Sequence, residues 1–379
     1  MASGGKPVKA VGFWQRLIGR AADGADAPPS ELSTLPAVQQ TLAPGASPPQ
    51  AKATLAPPDL RSFELGAEIG RGAMAIVYKA TQRATGRQVA VKRLALSREF
   101  SAEDLADVRE RFMREARAAR ALEHPDILQV VDAGQDGKDA WIALEYVLGR
   151  DLSQFTRAGQ LLPVREVVQL GVRLARALHY AHSQGVVHRD IKPANVMLDR
   201  VNGSLKLMDF GIARVGDGSR TRTGLVLGTP SFMSPEQLSG LTVDGRSDLY
   251  SLGVLLYQLL TGALPHQSDS MARLMQQIAT EPAADVRTHR PGLPESLALV
   301  LAVALEKRPE LRYPSGEQMA RDLEAVLVMD LQADPPVPEA VKPQDPAFAQ
   351  TLRLAPEEAG QNRRSSAEPR EPHEPPTAP

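Results

Sequence analysis

His188-Arg189-Asp190-Ile191-Lys192-Pro193-Ala194-Asn195 decides the reading of this chain, together with Asp209-Phe210-Gly211 nineteen residues after Asp190. Downstream follow Gly228-Thr229-Pro230, Ser234-Pro235-Glu236, Ser247-Asp248-Leu249-Tyr250-Ser251-Leu252-Gly253, and Arg312 within Lys307–Tyr313. Upstream stands Glu68-Ile69-Gly70-Arg71-Gly72-Ala73-Met74-Ala75-Ile76-Val77. Two glycines between strand-like runs let backbone N–H groups approach phosphate oxygens, although a plain hairpin turn reads the same way. Val89-Ala90-Val91-Lys92 ends an apolar strand on a lysine. Such a charge is costly to bury without an anion, so a phosphate or a carboxylate is its expected partner; an edge strand facing water is the plain alternative. Glu115, in Phe112–Arg117, supplies a carboxylate, or is one more solvated residue of a charged helix.

Seven motifs in this order resemble the eukaryotic-type (Hanks-type) serine/threonine protein kinases, and among them the soluble bacterial members. The resemblance covers 61–329 and implies an α+β, bilobal protein kinase fold. A small β-rich N-lobe with one main helix would span about 61–145, and a larger, mostly helical C-lobe about 148–329. The residue pattern agrees. Phe63–Leu96 alternates apolar residues between Gly-containing turns, and Ser101–Leu122 has helical spacing. Ile127–Asp132 and Ala140–Val147 read as further strands, and helical periods dominate from Val164 onward. Strand-like stretches around Val196–Leu198 and Leu205–Met208 interrupt them.

The resemblance also implies roles. Asp190 would accept and orient the substrate hydroxyl, and Asn195 and Asp209 would hold Mg²⁺, or Mn²⁺ in its place. Lys92 would hold the α- and β-phosphates of ATP, with Glu115 fixing Lys92. Lys192 matches the lysine on the γ-phosphate, and Thr229 the threonine that bridges catalytic aspartate and lysine; both favour Ser/Thr over Tyr specificity. Ile69, Gly70 and Gly72 would cover the phosphates. Ala75 replaces the glycine common at the third loop position and restricts the loop somewhat. Val77, Ala90 and Met197 would sandwich adenine, Leu144 would be the gatekeeper, and Glu145-Tyr146-Val147 the hinge. Asp151 would meet the ribose. Arg189 would be held by a phosphate on the activation segment, with Thr221 and Thr223 as the expected autophosphorylation sites. Asp248 would anchor the catalytic loop, and Glu236 would pair with Arg312. His179 and His182, three apart on one helix, read as surface or core histidines rather than metal ligands.

Composition sets the frame. The chain has 379 residues, net charge −1 and no cysteine, which excludes disulfides, thiol catalysis and thiolate metal sites. Near-zero charge gives no electrostatic pull toward nucleic acid. No apolar run approaches the roughly 18 residues of a spanning helix, and Met1–Arg20 lacks a signal-peptide core. A cytoplasmic location is expected. Of 31 prolines, 9 lie in 1–60 and 11 in 330–379. Both ends therefore read as disordered tails around a catalytic domain at 61–329. Within the first tail, Phe13, Trp14, Leu17 and Ile18 share a helical face.

Thr34, Thr41, Thr54 and Thr351 each precede a leucine in these tails. Chance in an Ala/Pro-rich composition explains them. The second reading is a self-phosphorylating scaffold whose phosphothreonines recruit forkhead-associated domain proteins. The expected partners are otherwise protein substrates. A pseudokinase is disfavoured because Lys92, Glu115, Asp190, Asn195 and Asp209 are all present. A small-molecule kinase is disfavoured by the complete Gly228–Glu236 segment, a peptide-docking platform in the family.

Overall fold

The computed structural model describes residues 59–71, 75–101, 103–210 and 230–331. Gly72, Thr221, Thr223, Thr229, the tail threonines and the Phe13-Trp14 segment lie outside the described residues.

Five antiparallel strands form the smaller lobe in the order β1-β2-β3-β5-β4: Phe63–Arg71, Ala75–Gln82, Gln88–Leu94, Val130–Asp136 (β4) and Asp139–Glu145 (β5). Side chains alternate across a strand. Val89 and Val91 of β3 therefore enter a small core with Phe63, Ala80 and Trp141. Ala90 and Lys92 take the other face, opposite Leu144 and Ile142 in the register. Gly134 is required by packing, because a β-carbon there would lie 2.6 Å from the buried Trp141 ring. Helix α1 (Leu96–Glu99) leads to α2 (Leu105–Arg120). Leu105, Val108, Phe112, Ala116 and Ala119 form the buried stripe of α2 at three- and four-residue spacing.

The strand expected over Ile127–Asp132 begins only at Val130. The residues before it pair with the other lobe instead. The N–H of Leu128 donates to the carbonyl of Leu207 at 2.9 Å, and the N–H of Leu207 to the carbonyl of Asp126 at 2.8 Å. An apolar run long enough for one strand is thus divided between two sheets.

The larger lobe opens with β6 (Arg150–Asp151), α3 (Val164–Ser183), β7 (Val196–Asp199) and β8 (Ser204–Leu207). It continues with α4 (Pro235–Leu238), α5 (Gly245–Thr261), α6 (Met271–Thr280), α7 (Glu295–Ala304) and α8 (Gly316–Met329). Helix α5 is buried on nearly every side, including Ser247 and Asp248, and forms the lobe's centre with α3, α7 and α8. Two caps start α4 and α5: Ser234 with Gln237 in a reciprocal box, and Asp244 on the N–H of Arg246. Packing continues past 329. Leu331 is fully buried, and Arg165 Nη1 donates to the carbonyls of Leu331 (2.5 Å) and Leu327 (3.4 Å). Among the described residues, no helix is long and apolar enough to cross a membrane.

Candidate active site

The catalytic-loop run is stretched between α3 and β7 and is held from beneath by α5. Asp248 is buried at 1% exposure, and its two oxygens accept the N–H groups of His188 (2.8 Å) and Arg189 (2.7 Å). His182 Nε2 donates to the same carboxylate at 2.8 Å. A buried carboxylate so saturated fixes the loop backbone. Arg189 takes a left-handed φ of 67°, and its carbonyl accepts Gln237 Nε2 at 2.9 Å. A non-glycine residue in that region stores strain that its neighbours must hold.

His188 is fully buried, and burial holds its imidazole below the usual histidine range. The ring is therefore neutral near pH 7, and its bonds select the tautomer. Nε2 donates to the carbonyl of Met208 at 2.7 Å, and Nδ1 accepts the N–H of Asp190 at 3.2 Å. Phe210 packs on this ring with centroids 4.5 Å apart. His188 thus ties the loop of Asp190 to the loop of Asp209.

Asp190 is half-buried, and only its Oδ2 is occupied among the described residues. That oxygen accepts Lys192 Nζ at 2.7 Å and Asn195 Nδ2 at 2.8 Å. Asn195 Nδ2 also donates to the Asp190 carbonyl at 2.8 Å. With its nitrogen so committed, Asn195 keeps Oδ1 as an oxygen donor. Asp209 adds a carboxylate at a left-handed φ of 58°. Burial pushes its carboxyl up, but the Lys92 ammonium outweighs this and holds it below the usual carboxylate value. This donor set, an amide oxygen and an ionised carboxylate, fits a hard cation such as Mg²⁺ or Mn²⁺.

Lys92 Nζ donates to both Asp209 oxygens, at 2.8 and 2.9 Å. The structure does not bring Lys92 to Glu115, its expected partner. Glu115 instead lines a recess of about 310 Å³ with Arg114, Arg189 and Phe210, on the side of α2 that faces the catalytic loop.

Above these groups, Ala90, Val77, Met197 and Val147 are partly exposed apolar residues, a surface fit for a flat aromatic base. Leu144 is buried behind them, beside Lys92 and Phe210. Ile69 is half-exposed at the end of β1, and Gly70 pairs with Val77. Asp151 caps the turn at Leu152–Phe155, its Oδ1 accepting the N–H of Ser153 at 2.9 Å. Deeper in the lobe, Glu236 and Arg312 form a bidentate pair at 2.6 and 2.7 Å. Reading the sequence took His182 for a surface or core histidine and did not foresee that its ring bonds Asp248. It also missed Lys206, whose ammonium meets the hinge residue Glu145 at 2.6 Å. Neither has a local signal, since each partner lies more than 60 residues away.

A protein kinase domain model matches residues 63–323. A probable serine/threonine-protein kinase of Streptomyces coelicolor is 46% identical over 275 residues, which cover 70% of this chain and 40% of that protein. The serine/threonine-protein kinase PknB of Mycolicibacterium smegmatis is 40% identical over 271 residues, covering 69% and 42%. The chain thus spans about two fifths of the length of these curated relatives. Among solved structures, the PknI kinase domain of Mycobacterium tuberculosis superposes with a TM-score of 0.57 at 33% identity, covering 70% of this chain and 96% of that one. Rad53 residues 1–466 in complex with AMP-PNP gives 0.57 at 25% identity, covering 69% and 64%. The matched segment contains the sheet, the hinge, the catalytic loop and the Asp209 loop described above, and the chain belongs to the protein kinase family.

Proposed function

We propose that this chain is an ATP-dependent serine/threonine protein kinase whose catalytic unit spans about 61–329 and works in the cytoplasm. The observation that carries the reading is the convergence of Asp190, Lys192 and Asn195 with the Lys92–Asp209 pair, in one cleft beneath an apolar surface. Phosphoryl transfer needs positioning and charge neutralisation more than covalent help. Bound ATP and its divalent cation supply the transferable phosphoryl group and most of that neutralisation. The chain's residues do the rest. Ala90, Val77 and Met197 hold the adenine, the backbone of Glu145 and Val147 reads its edge, and Asp151 takes the ribose. Ile69, Gly70 and Gly72 cover the phosphates, and Lys92 grips them. Asn195 and Asp209 hold the cation. Asp190 receives the proton of a Ser or Thr hydroxyl on its carboxylate, while Lys192 steadies the moving phosphoryl charge, and Thr229 is the residue that would bridge the two. Glu115 reaches Lys92 when α2 swings inward, and phosphate on Thr221 and Thr223 engages Arg189.

Incubating the purified chain with Mg²⁺-ATP and mapping phosphosites by mass spectrometry tests this, beside an Asp190→Asn control. Phosphate on Thr221 or Thr223 in the wild type alone is expected. Phosphate on neither the chain nor a protein substrate, with ATP still bound, would overturn it. Additional phosphate on Thr41, Thr54 or Thr351 would favour the scaffold whose partners carry forkhead-associated domains.

A further inference from the structure

The hinge is held from behind by an ion pair that belongs to none of the motifs. Glu145 ends β5, and its carboxylate meets Lys206 Nζ of β8 at 2.6 Å, with side chains only 17% and 16% exposed. The same carboxylate accepts the N–H of Gln129 at 2.9 Å, while the Gln129 carbonyl accepts the N–H of Glu145 at 3.0 Å. Residues 126–128 are themselves tied to β8 through Leu207. Asp126 adds a pair with Arg173 of α3. Strand β8 runs on directly to Asp209. One end of the hinge is thereby bolted to the strand that delivers the cation-binding aspartate. The other end is Gly149, at φ 133°, packed so closely on β7 that a β-carbon would lie 2.7 Å from the Leu198 carbonyl. Tyr146, Val147 and Leu148 span the interval.

From this arrangement we infer that Lys206 is a positioning residue for nucleotide binding. Acting through the Glu145 carboxylate, it fixes the hinge backbone against β8, so that the groups reading adenine and the carboxylate at Asp209 keep one spacing. Fold stability does not account for the pair, since an ion pair that is mostly withdrawn from water gives little that apolar residues of equal volume would not. What it supplies is direction. An apolar contact between two strands can slide, whereas a charge-assisted bond from β8 to a carboxylate that the Gln129 backbone also holds fixes register. The inference rests on the proposed reading of the cleft as an ATP site.

Two measurements on the full chain test it: amide hydrogen exchange of the hinge without nucleotide, and KM for ATP against kcat. Lys206→Met is expected to speed exchange at 145–148 by about tenfold or more. It should raise KM for ATP about five- to tenfold while kcat stays within about twofold. Lys206→Arg should restore both. Glu145→Gln combined with Lys206→Met should loosen the hinge no further than either change alone, because both remove one interaction. Should Lys206→Met fail to fold, Glu145→Gln with Lys206→Met strands no carboxylate, keeps an oxygen for the Gln129 N–H and should show the same loosened hinge. Wild-type exchange rates and KM in a folded variant would overturn the inference, as would additive effects in the double variant. A wild-type chain that binds no ATP would defeat the kinase reading instead, and the exchange comparison would still decide whether Lys206 holds the hinge.

Discussion

Two ion pairs in this molecule use similar chemistry to opposite ends. In the larger lobe, Arg312 is fully buried, and its guanidinium bonds Glu236 twice. It also donates to the carbonyls of Glu306 (2.7 Å) and Lys307 (2.8 Å) and stacks over Tyr250 at 4.9 Å. Glu236 takes a further bond from Ser247 Oγ. Burial alone would raise its carboxyl, but Arg312 and Ser247 hold it below the usual value. In the cleft, Lys92 and Asp209 remain 18% and 28% exposed, and among the described residues Lys92 bonds only Asp209. A saturated pair is a pillar, since each lone pair and each N–H is spent inside the protein. An unsaturated pair keeps capacity for a ligand, and here it is set on strained backbone that only its surroundings maintain. How completely a charged group is satisfied therefore separates scaffold from site better than how deeply it is buried.

Substitutions can break or sharpen that contrast. The largest effect should come at the open pair. Asp209→Asn should lower the phosphoryl-transfer rate about a thousandfold. The same change should lower unfolding free energy by less than the loss of Arg312 does, because water still reaches both members of the open pair. A large drop in the urea midpoint would erase the contrast. The closed pair should behave in reverse. Arg312→Ala strands a buried carboxylate and should cost about 3–5 kcal/mol of stability, read from the urea midpoint. Retention of the wild-type midpoint would show that the pillar carries no weight.

A third test uses pH. His266 is buried against Lys307 Nζ at 2.9 Å, and burial, aided by that ammonium, lowers its pKa to about 4. The unfolded chain binds the proton near the ordinary value, so between these limits the folded state holds fewer protons. Stability is thus complete above about pH 6.5 and falls as pH drops toward 4. Buried His188 acts in the same direction. Lys307, lowered to about 8 mainly by burial, acts in another window, where raising pH from 8 toward its ordinary value relieves a penalty. Between pH 7 and pH 5 the His266 contribution should amount to about 2 kcal/mol. His266→Phe should make the measured slope of unfolding free energy against pH shallower over that range. The smallest effect is expected from His182→Ala. It removes one of three donors to buried Asp248 and should lower stability by about 1–2 kcal/mol, measured by thermal unfolding.

Much of this arrangement was legible in the residues, for a local reason. Asp190, Lys192 and Asn195 lie within six positions and are shaped by one loop, so their spacing already contains their geometry. Val89-Ala90-Val91-Lys92 likewise marked Lys92 as a strand lysine in want of an anion, beside the plain alternative of an edge strand facing water. What stayed hidden depends on distant partners. Ile127 and Leu128 read as part of a strand because apolar alternation does not say which sheet will claim it, and β8 claimed them. The partner of Lys92 depends on where α2 sits over the cleft, a lobe-scale position that no stretch of residues encodes. Lys206 and Glu145 are ordinary charged residues on ordinary strands, and only the folded chain makes them neighbours.

Gly149 turns the hinge into a matter of clearance. The chain passes β7 there with no room for a single methyl group, and at a backbone angle that side chains rarely adopt. A β-carbon at 149 would act as a shim under the strap that enters the larger lobe. Gly149→Ala leaves every reacting group untouched, yet it would lift the chain off β7 at that point and displace the hinge residues just before it.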